Sequence, residues 1–411
     1  MGMNGTETGC LAGDLLVLGG GLTGLALAAA VGGAGYEVLV VERDRYPRML
    51  AGPYDGRATA VARGSKRLLD ALGVWPAILP HAEPIREILV AEAGSPVEVR
   101  YDSMELDGEP LGWIVENRRI REALLGRVRE LPAVRLFEGE EVAEIRRDAF
   151  AARLALASGR RLSAPLLAIC EGRLSRSRER LGIGARRWDY GQTGIVCTLR
   201  HERPHGGVAV ERFFPDGPFA VLPMPGDRSS IVWALEDGLA AAMRELDDTA
   251  FAAEVEERFG DRLGAVSVEG PRWYYPLVLV WSERYTDWRV ALVGDTARGI
   301  HPISGQGWNL ALRDVAAVAE TVVERLRLGL DPGEPAALES YEAWRRFDSL
   351  ALVAITDGIN RLFANDLLPL RLARNVGLAL VERLPPAKRF FMRHAMGMVG
   401  DLPRLMRGEP L

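Results

Sequence analysis

The chain runs to 411 residues, 48% of them apolar and 26% charged, with a formal net charge of −5. These values predict a soluble globular protein of one large or two modest domains with a sizeable core, and the mild negative charge argues against nucleic acid as a partner. Three widely spaced cysteines, Cys10, Cys170 and Cys197, exclude a disulfide framework or a metal site and point to a reducing compartment.

From the N-terminus, residues 14–42 read DLLVLGGGLTGLALAAAVGGAGYEVLVVE. An apolar strand, Leu15 to Leu18, runs into Gly19, Gly21 and Gly24 in GxGxxG spacing and then into an Ala/Leu helix. In that context Gly19 permits a tight turn, Gly21 lets the backbone approach a pyrophosphate, and Gly24 brings the helix close to the strand. A second strand ends in Glu42, near the spacing of a carboxylate that accepts a ribose hydroxyl. Residues 15–36 carry no charge, but seven glycines break the sustained helix that a membrane span requires.

The pattern next predicts a helix over 57–72 and short strands over 85–116, with turn signals at Gly94, Pro96 and Gly108. A helix follows at 117–130 with Arg118 at its mouth, then strands through Cys170 that end in Glu171-Gly172. From Trp188 to Trp281, β-rich runs such as GIVCTLR, AVERFFP and SSIVWALE alternate with turn residues around a helix near 247–259. Within them, His201 and His205 belong to HERPHGG, read as a surface turn. Residues 292–314, LVGDTARGIHPISGQGWNLALRD, comprise a buried strand, a Gly294-Asp295 turn, a Gly/Pro loop and a helix. The first turn of that helix offers free N–H groups at Gly305, Gln306 and Gly307, suited to an anion or an electron-rich ring edge. Together with the N-terminal segment it predicts one large cofactor gripped from both ends. Residues 331–411 read as helical, with breaks at Pro369 and Pro385-Pro386.

Four segments carry a family resemblance. HPISGQGWNLALRD at 301–314 resembles the His-Pro-aliphatic-small-Gly-Gln-Gly-x-Asn run, ending in Asp, of the ubiquinone-biosynthesis FAD-dependent hydroxylases. These are the 2-polyprenyl-phenol or 2-octaprenyl-6-methoxyphenol hydroxylase type, within the class A flavoprotein monooxygenases. DGRATAVARGSKRLLDALGVW at 55–75, VENRRIREALL at 115–125 and TDGINRLFANDLLPLRLARNVGLALVERLPP towards the C-terminus agree in family order.

The resemblance implies an α/β fold: a Rossmann-like FAD-binding domain with an inserted antiparallel β-sheet substrate domain and a helical C-terminal region. The expected boundaries are 1–76, 117–183 and 287–330 for the FAD-binding domain, 77–116 and 184–286 for the substrate domain, and 331–411 for the helical region. It implies FAD as cofactor, NAD(P)H or a reduced electron-carrier protein as donor, and O2 with a polyprenylated phenol as substrates. The ring would be hydroxylated through a flavin hydroperoxide, with orientation and water exclusion left to the protein. Asp295 would bond a ribityl or phosphate-linked hydroxyl, and the 305–307 amides would face the pyrimidine end of the flavin. Arg118, with Arg57 as second candidate, would meet the pyrophosphate, and His301 and Pro302 would shape the loop at the flavin face. No residue is identified as a catalytic base.

Three positions depart from the family pattern: Glu171 for Asp, Arg298 for His, and Ala311 for Gly. Arg298 would contact phosphate or be solvated on its loop. The tail PPAKRFFMRHAMGMVGDLPRLMRG sets basic residues among Phe390, Phe391, Met392, Met396 and Met398. It reads either as a basic helix lying on an anionic bilayer or as a helix packed on the core with a solvated face. The resemblance places the chain in the cytoplasm, peripheral on the inner face of the membrane, with other ubiquinone-biosynthesis proteins as partners. Alternatives are a flavin hydroxylase of a soluble aromatic, a prenyl reductase, or a non-catalytic scaffold subunit.

Overall fold

The computed structural model describes residues 9–51, 56–300, 305–363 and 368–411. Its first framework is a six-stranded sheet in the order Thr286–Asp287, Val290–Leu292, Leu167–Ile169, Leu15–Leu18, Val38–Glu42, Val134–Glu138. Every neighbouring pair is parallel except the first. Leu15–Leu18 and Val38–Val41 are buried on both faces, which is why they read as unbroken apolar runs and not as alternations. The Leu22–Gly33 helix packs on this sheet and touches both the Asn117–Glu130 helix and the Gly307–Arg327 helix.

The second framework is an eight-stranded sheet built from Arg298–Gly299, Val266–Ser282, Ala185–His201, Arg228–Glu236, Gly217–Met224, Val208–Phe214, Glu87–Glu92 and Glu98–Asp102, in that order. Its side chains alternate between two faces. One face sends Ile195, Phe219, Ile231 and Trp233 into a core closed by Phe251 and Val255 of the Asp248–Phe259 helix. The other turns toward a three-stranded sheet (Ala58–Ala62, Gly112–Glu116, Ala82–Ile85) and the C-terminal helices, where Ala209 and Met224 pack with Ile85, Ile114, Met392 and Met396.

The Asn117–Glu130 and Asp248–Phe259 helices fall where the pattern predicts them. The predicted helix over 57–72 is corrected: Ala58–Ala62 is a strand paired with Gly112–Glu116, and the helix begins only at Arg63. The turn holding His201 and His205 is present, yet His201 is buried and bonded to Arg203 O and Ser229 Oγ, a staple for the turn. In the C-terminal region, helices span Pro335–Phe363, Leu368–Arg383 and Pro385–Ala395. Lys388, Met392 and Met396 are buried, whereas Phe390 and Phe391 are exposed.

Candidate cofactor and active site

The first half of the site follows from three glycines with three different constraints. At Gly19 (φ +101°) a Cβ would sit 2.6 Å from the Cys170 carbonyl oxygen, so the turn needs both the left-handed backbone and the missing side chain. At Gly24 a Cβ would sit 1.8 Å from Gly19 O, which ties the helix to the turn before it. Gly21 has neither constraint: a Cβ there would meet nothing within 4 Å. It is the N-cap of the Leu22–Gly33 helix, which has no side-chain cap and no acidic residue in its first turn. The orphan amides and the positive end of the helix dipole therefore face open space beside a residue without a side chain, and this fits a pyrophosphate. Glu42 Oε2 accepts from Gly20 N at 2.6 Å and Oε1 from Asp44 N at 2.9 Å, so the carboxylate is held at the rim of the glycine loop.

The second half is assembled around Gly294 (φ +65°), which follows the Val290–Leu292 strand. A Cβ at Gly294 would lie 3.0 Å from Ala311 Cβ and 3.1 Å from Thr23 Cγ2. Gly294 thus fills the contact between the N-terminal parts of two helices almost three hundred residues apart in sequence. Its N–H donates to Asp314 Oδ2 at 3.0 Å. Asp314 is fully buried and also accepts from Arg298 at 2.6 and 2.9 Å and from Arg345 Nε at 2.8 Å. Arg298 therefore neither contacts a phosphate nor lies solvated on its loop. It is a buried counter-ion, because a carboxylate removed from water must be paired. Burial opposes the Arg298 cation, but the adjoining Asp314 outweighs it and holds the guanidinium firmly protonated.

Asp295 is exposed between the buried Gly294 and Thr296. Its surroundings raise the carboxyl, chiefly through desolvation, against the opposing pull of Arg298, Arg173 and Arg57. The following Thr296 accepts from Gly172 N at 3.0 Å and links the two strand ends that flank the cleft.

The Gly307–Arg327 helix starts at Gln306 with no side-chain cap and no acid in the first turn, and a Cβ on Gly307 would meet nothing within 4 Å. Gly305 (φ +59°) makes the turn into it. Asn309 secures this helix end: its Nδ2 donates to Ala60 O at 2.8 Å, and its Oδ1 accepts from Ala62 N at 2.9 Å. His301 and Pro302, expected at the flavin face, lie outside the described residues.

Two expected cofactor residues are tied to protein partners. Arg118 Nε donates to Glu116 Oε2 at 2.6 Å, and Glu116 also accepts from Arg228 at 2.8 Å. Glu171 accepts from Ser175 Oγ (2.6 Å), Ser177 N (3.1 Å) and Ser177 Oγ (3.0 Å). The longer acid thus caps the Arg176–Arg180 turn, while its own backbone lies against Gly19. Arg57 sits 5.9 Å from the Tyr275 ring centroid, at the junction of the cofactor cleft and the eight-stranded sheet. The structure thus draws Gly19, Gly21, Gly24, Gly294, Asp295, Gly305, Gln306 and Gly307 onto the N-terminal ends of two contacting helices. Asn309, in the first turn of the Gly307–Arg327 helix, and Asp314, two turns in, are polar residues of the 301–314 motif that the helix buries, which is the signal the sequence offered for their roles.

A family model described as an FAD binding domain matches residues 13–355. Over 401 residues the chain is 48% identical to ubiquinone hydroxylase UbiL of Rhodospirillum rubrum, covering 97% of this chain and 93% of that protein. It is 31% identical to the 3-demethoxyubiquinol 3-hydroxylase of Escherichia coli, covering 94% and 98% respectively. Among solved structures, p-nitrophenol 4-monooxygenase PnpA from Pseudomonas putida superposes with a TM-score of 0.78 at 18% identity, covering 94% of this chain and 98% of that one.

Proposed function

The chain belongs to the family of FAD-dependent ubiquinone hydroxylases, and on that footing we propose that it hydroxylates the aromatic ring of a polyprenylated phenol, with O2 as oxygen source and NAD(P)H as donor. The observation that carries this reading is the meeting of two uncapped helix starts across Gly294, where one extended cofactor can touch both. FAD, when bound, supplies the redox and oxygen chemistry. The Gly19–Gly24 turn and the first amides of the Leu22–Gly33 helix bind its pyrophosphate, Glu42 its adenosine ribose, and Asp295 a hydroxyl nearer the flavin ring. The amides at Gly305, Gln306 and Gly307 draw negative charge toward the pyrimidine end of that ring. Arg118, with Glu116 and Arg228 behind it, offers a cation to the phosphates, and Glu171 orders the strand end beside Gly19.

No helix among the described residues is long and apolar enough to cross a membrane. A prenylated phenol resides in lipid, so the chain works at the membrane surface, and the exposed Phe390 and Phe391 beside basic Arg389 and Arg393 suit such a contact. The test is to purify the protein, extract its flavin, and follow NADH oxidation with and without ortho-geranylphenol. The expected result is bound FAD and oxidation stimulated by the phenol; a protein that neither retains nor takes up FAD contradicts the reading.

A further inference from the structure

The eight-stranded sheet has one closed face and one open one. Toward the outer core, Phe219, Ile231 and Trp233 are completely buried. On the inner face Val90, Leu222 and Val232 are only half-buried although they stand in mid-sheet, so packing leaves this face partly open. Glu211 lies in the midst of these residues. Its strand register places it opposite Val90 on one side and Ala220 on the other, and Ala220 in turn faces Val232. None of these neighbours has a hydrogen-bonding side chain, and no described residue bonds the Glu211 carboxyl.

Packing links this face to the cofactor side. Ala209, one same-face position from Glu211, packs in one cluster with Leu222 and Ala60. Ala60 is itself 3.4 Å from where a Gly305 Cβ would sit and accepts from Asn309 through its carbonyl. The cluster that holds Ala209 and Ala60 thus reaches from the sheet face of Glu211 to the second helix start.

A carboxyl in such surroundings is costly unless it has a use. We propose that Glu211 contacts the substrate: its carboxyl hydrogen-bonds the oxygen substituents of the phenol ring and so fixes which ring carbon faces the cofactor. This deepens the hydroxylase function proposed above and rests on it. Burial alone pushes the Glu211 carboxyl up to about 8, with no charged side chain contributing. The ionisable groups nearest on the same face are Glu92, paired with Arg374, and Tyr101, pushed up to about 12 chiefly by burial. The strands carrying Ala220 and Val232 present no ionisable group at these register positions. At neutral pH Glu211 is thus a neutral acid, able to donate one hydrogen bond and accept another, as a ring hydroxyl beside a second oxygen requires. Above about 8 it ionises and the donor is lost.

The experiment measures kcat and KM of the full-length, FAD-loaded protein on ortho-geranylphenol across pH values on both sides of 8, for wild type, Glu211→Gln and Glu211→Leu. Glu211→Leu raises KM roughly tenfold at neutral pH by removing the bond. Glu211→Gln retains a donor, so its KM stays near the wild-type value at neutral pH and does not climb as pH passes 8, whereas the wild-type KM does. Retained FAD serves as the folding control, and if Glu211→Leu fails to fold, the flattened profile of Glu211→Gln decides. Wild-type turnover with both variants unchanged overturns the role of Glu211 alone. A wild-type rate that rises through 8 and collapses in Glu211→Gln also overturns it, because that marks a base and not a hydrogen-bond donor. A wild type that binds FAD but does not oxidise the probe overturns the function itself, and the assignment with it.

Discussion

Asp314 accepts hydrogen bonds from Gly294 N, Arg298 and Arg345 in a place that water does not reach; it is the carboxylate partner of Arg298, while Arg345 also bonds Asp348. Asp314→Ala is expected to cost about 3–5 kcal/mol in denaturant unfolding, because it strands buried charge as well as removing a pair. The three glycines of the first turn separate folding from binding at single-residue resolution. Gly21→Ala costs the apoprotein no more than about 1 kcal/mol, since the added methyl meets open space, but weakens FAD binding roughly tenfold or more in a fluorescence titration. Gly24→Ala drives a methyl into Gly19 O and costs about 1–3 kcal/mol even without cofactor, read from apoprotein melting. The glycine spacing was legible in the sequence because the turn and the Gly24–Gly19 contact are local, although Cys170 supplies part of the constraint on Gly19. The fate of Arg298 was not, because its partner Asp314 is a helix away and a lone Arg on a loop reads equally well as solvated.

At the level of elements, the Gly307–Arg327 helix is aimed by what grips its first turn. Asn309 bonds Ala60 O and Ala62 N, the backbone of a strand nearly 250 residues earlier. Asn309→Ala leaves both groups unpaired and is expected to cost about 2–4 kcal/mol. It should also weaken FAD binding, because the amides at 305–307 lose their fixed direction; calorimetry on the folded variant checks both. Elements with internal signals were readable: the Asp248–Phe259 helix carries its own cap, Asp247 accepting from Ala250 N at 2.8 Å. Ala58–Ala62 carries no such signal. Its alanines suit a helix, and it becomes a strand through pairing with Gly112–Glu116, information held elsewhere in the chain.

Across the whole molecule, the two large sheets divide the work. The six-stranded sheet presents strand ends and helix starts to a cofactor, and the eight-stranded sheet, antiparallel except where Val208–Phe214 runs parallel to Glu87–Glu92, turns a mostly apolar face carrying Glu211 and the Arg374-paired Glu92 toward the same region. The alternation of strands and helices made this division legible, down to the interleaving of the two frameworks along the chain. The covering role of the tail was left open by composition, because a basic helix with bulky apolar residues suits a membrane and a core equally. Burial of Lys388, Met392 and Met396 beside exposed Phe390 and Phe391 shows one helix presenting both faces. The most direct test of the account is to supply the FAD-loaded protein with NADH, ortho-geranylphenol and isotopically labelled O2, and to analyse the phenol by mass spectrometry. The account predicts a ring-hydroxylated product that carries one labelled oxygen atom. An unmodified phenol, or a hydroxylated one whose oxygen comes from water, would contradict it.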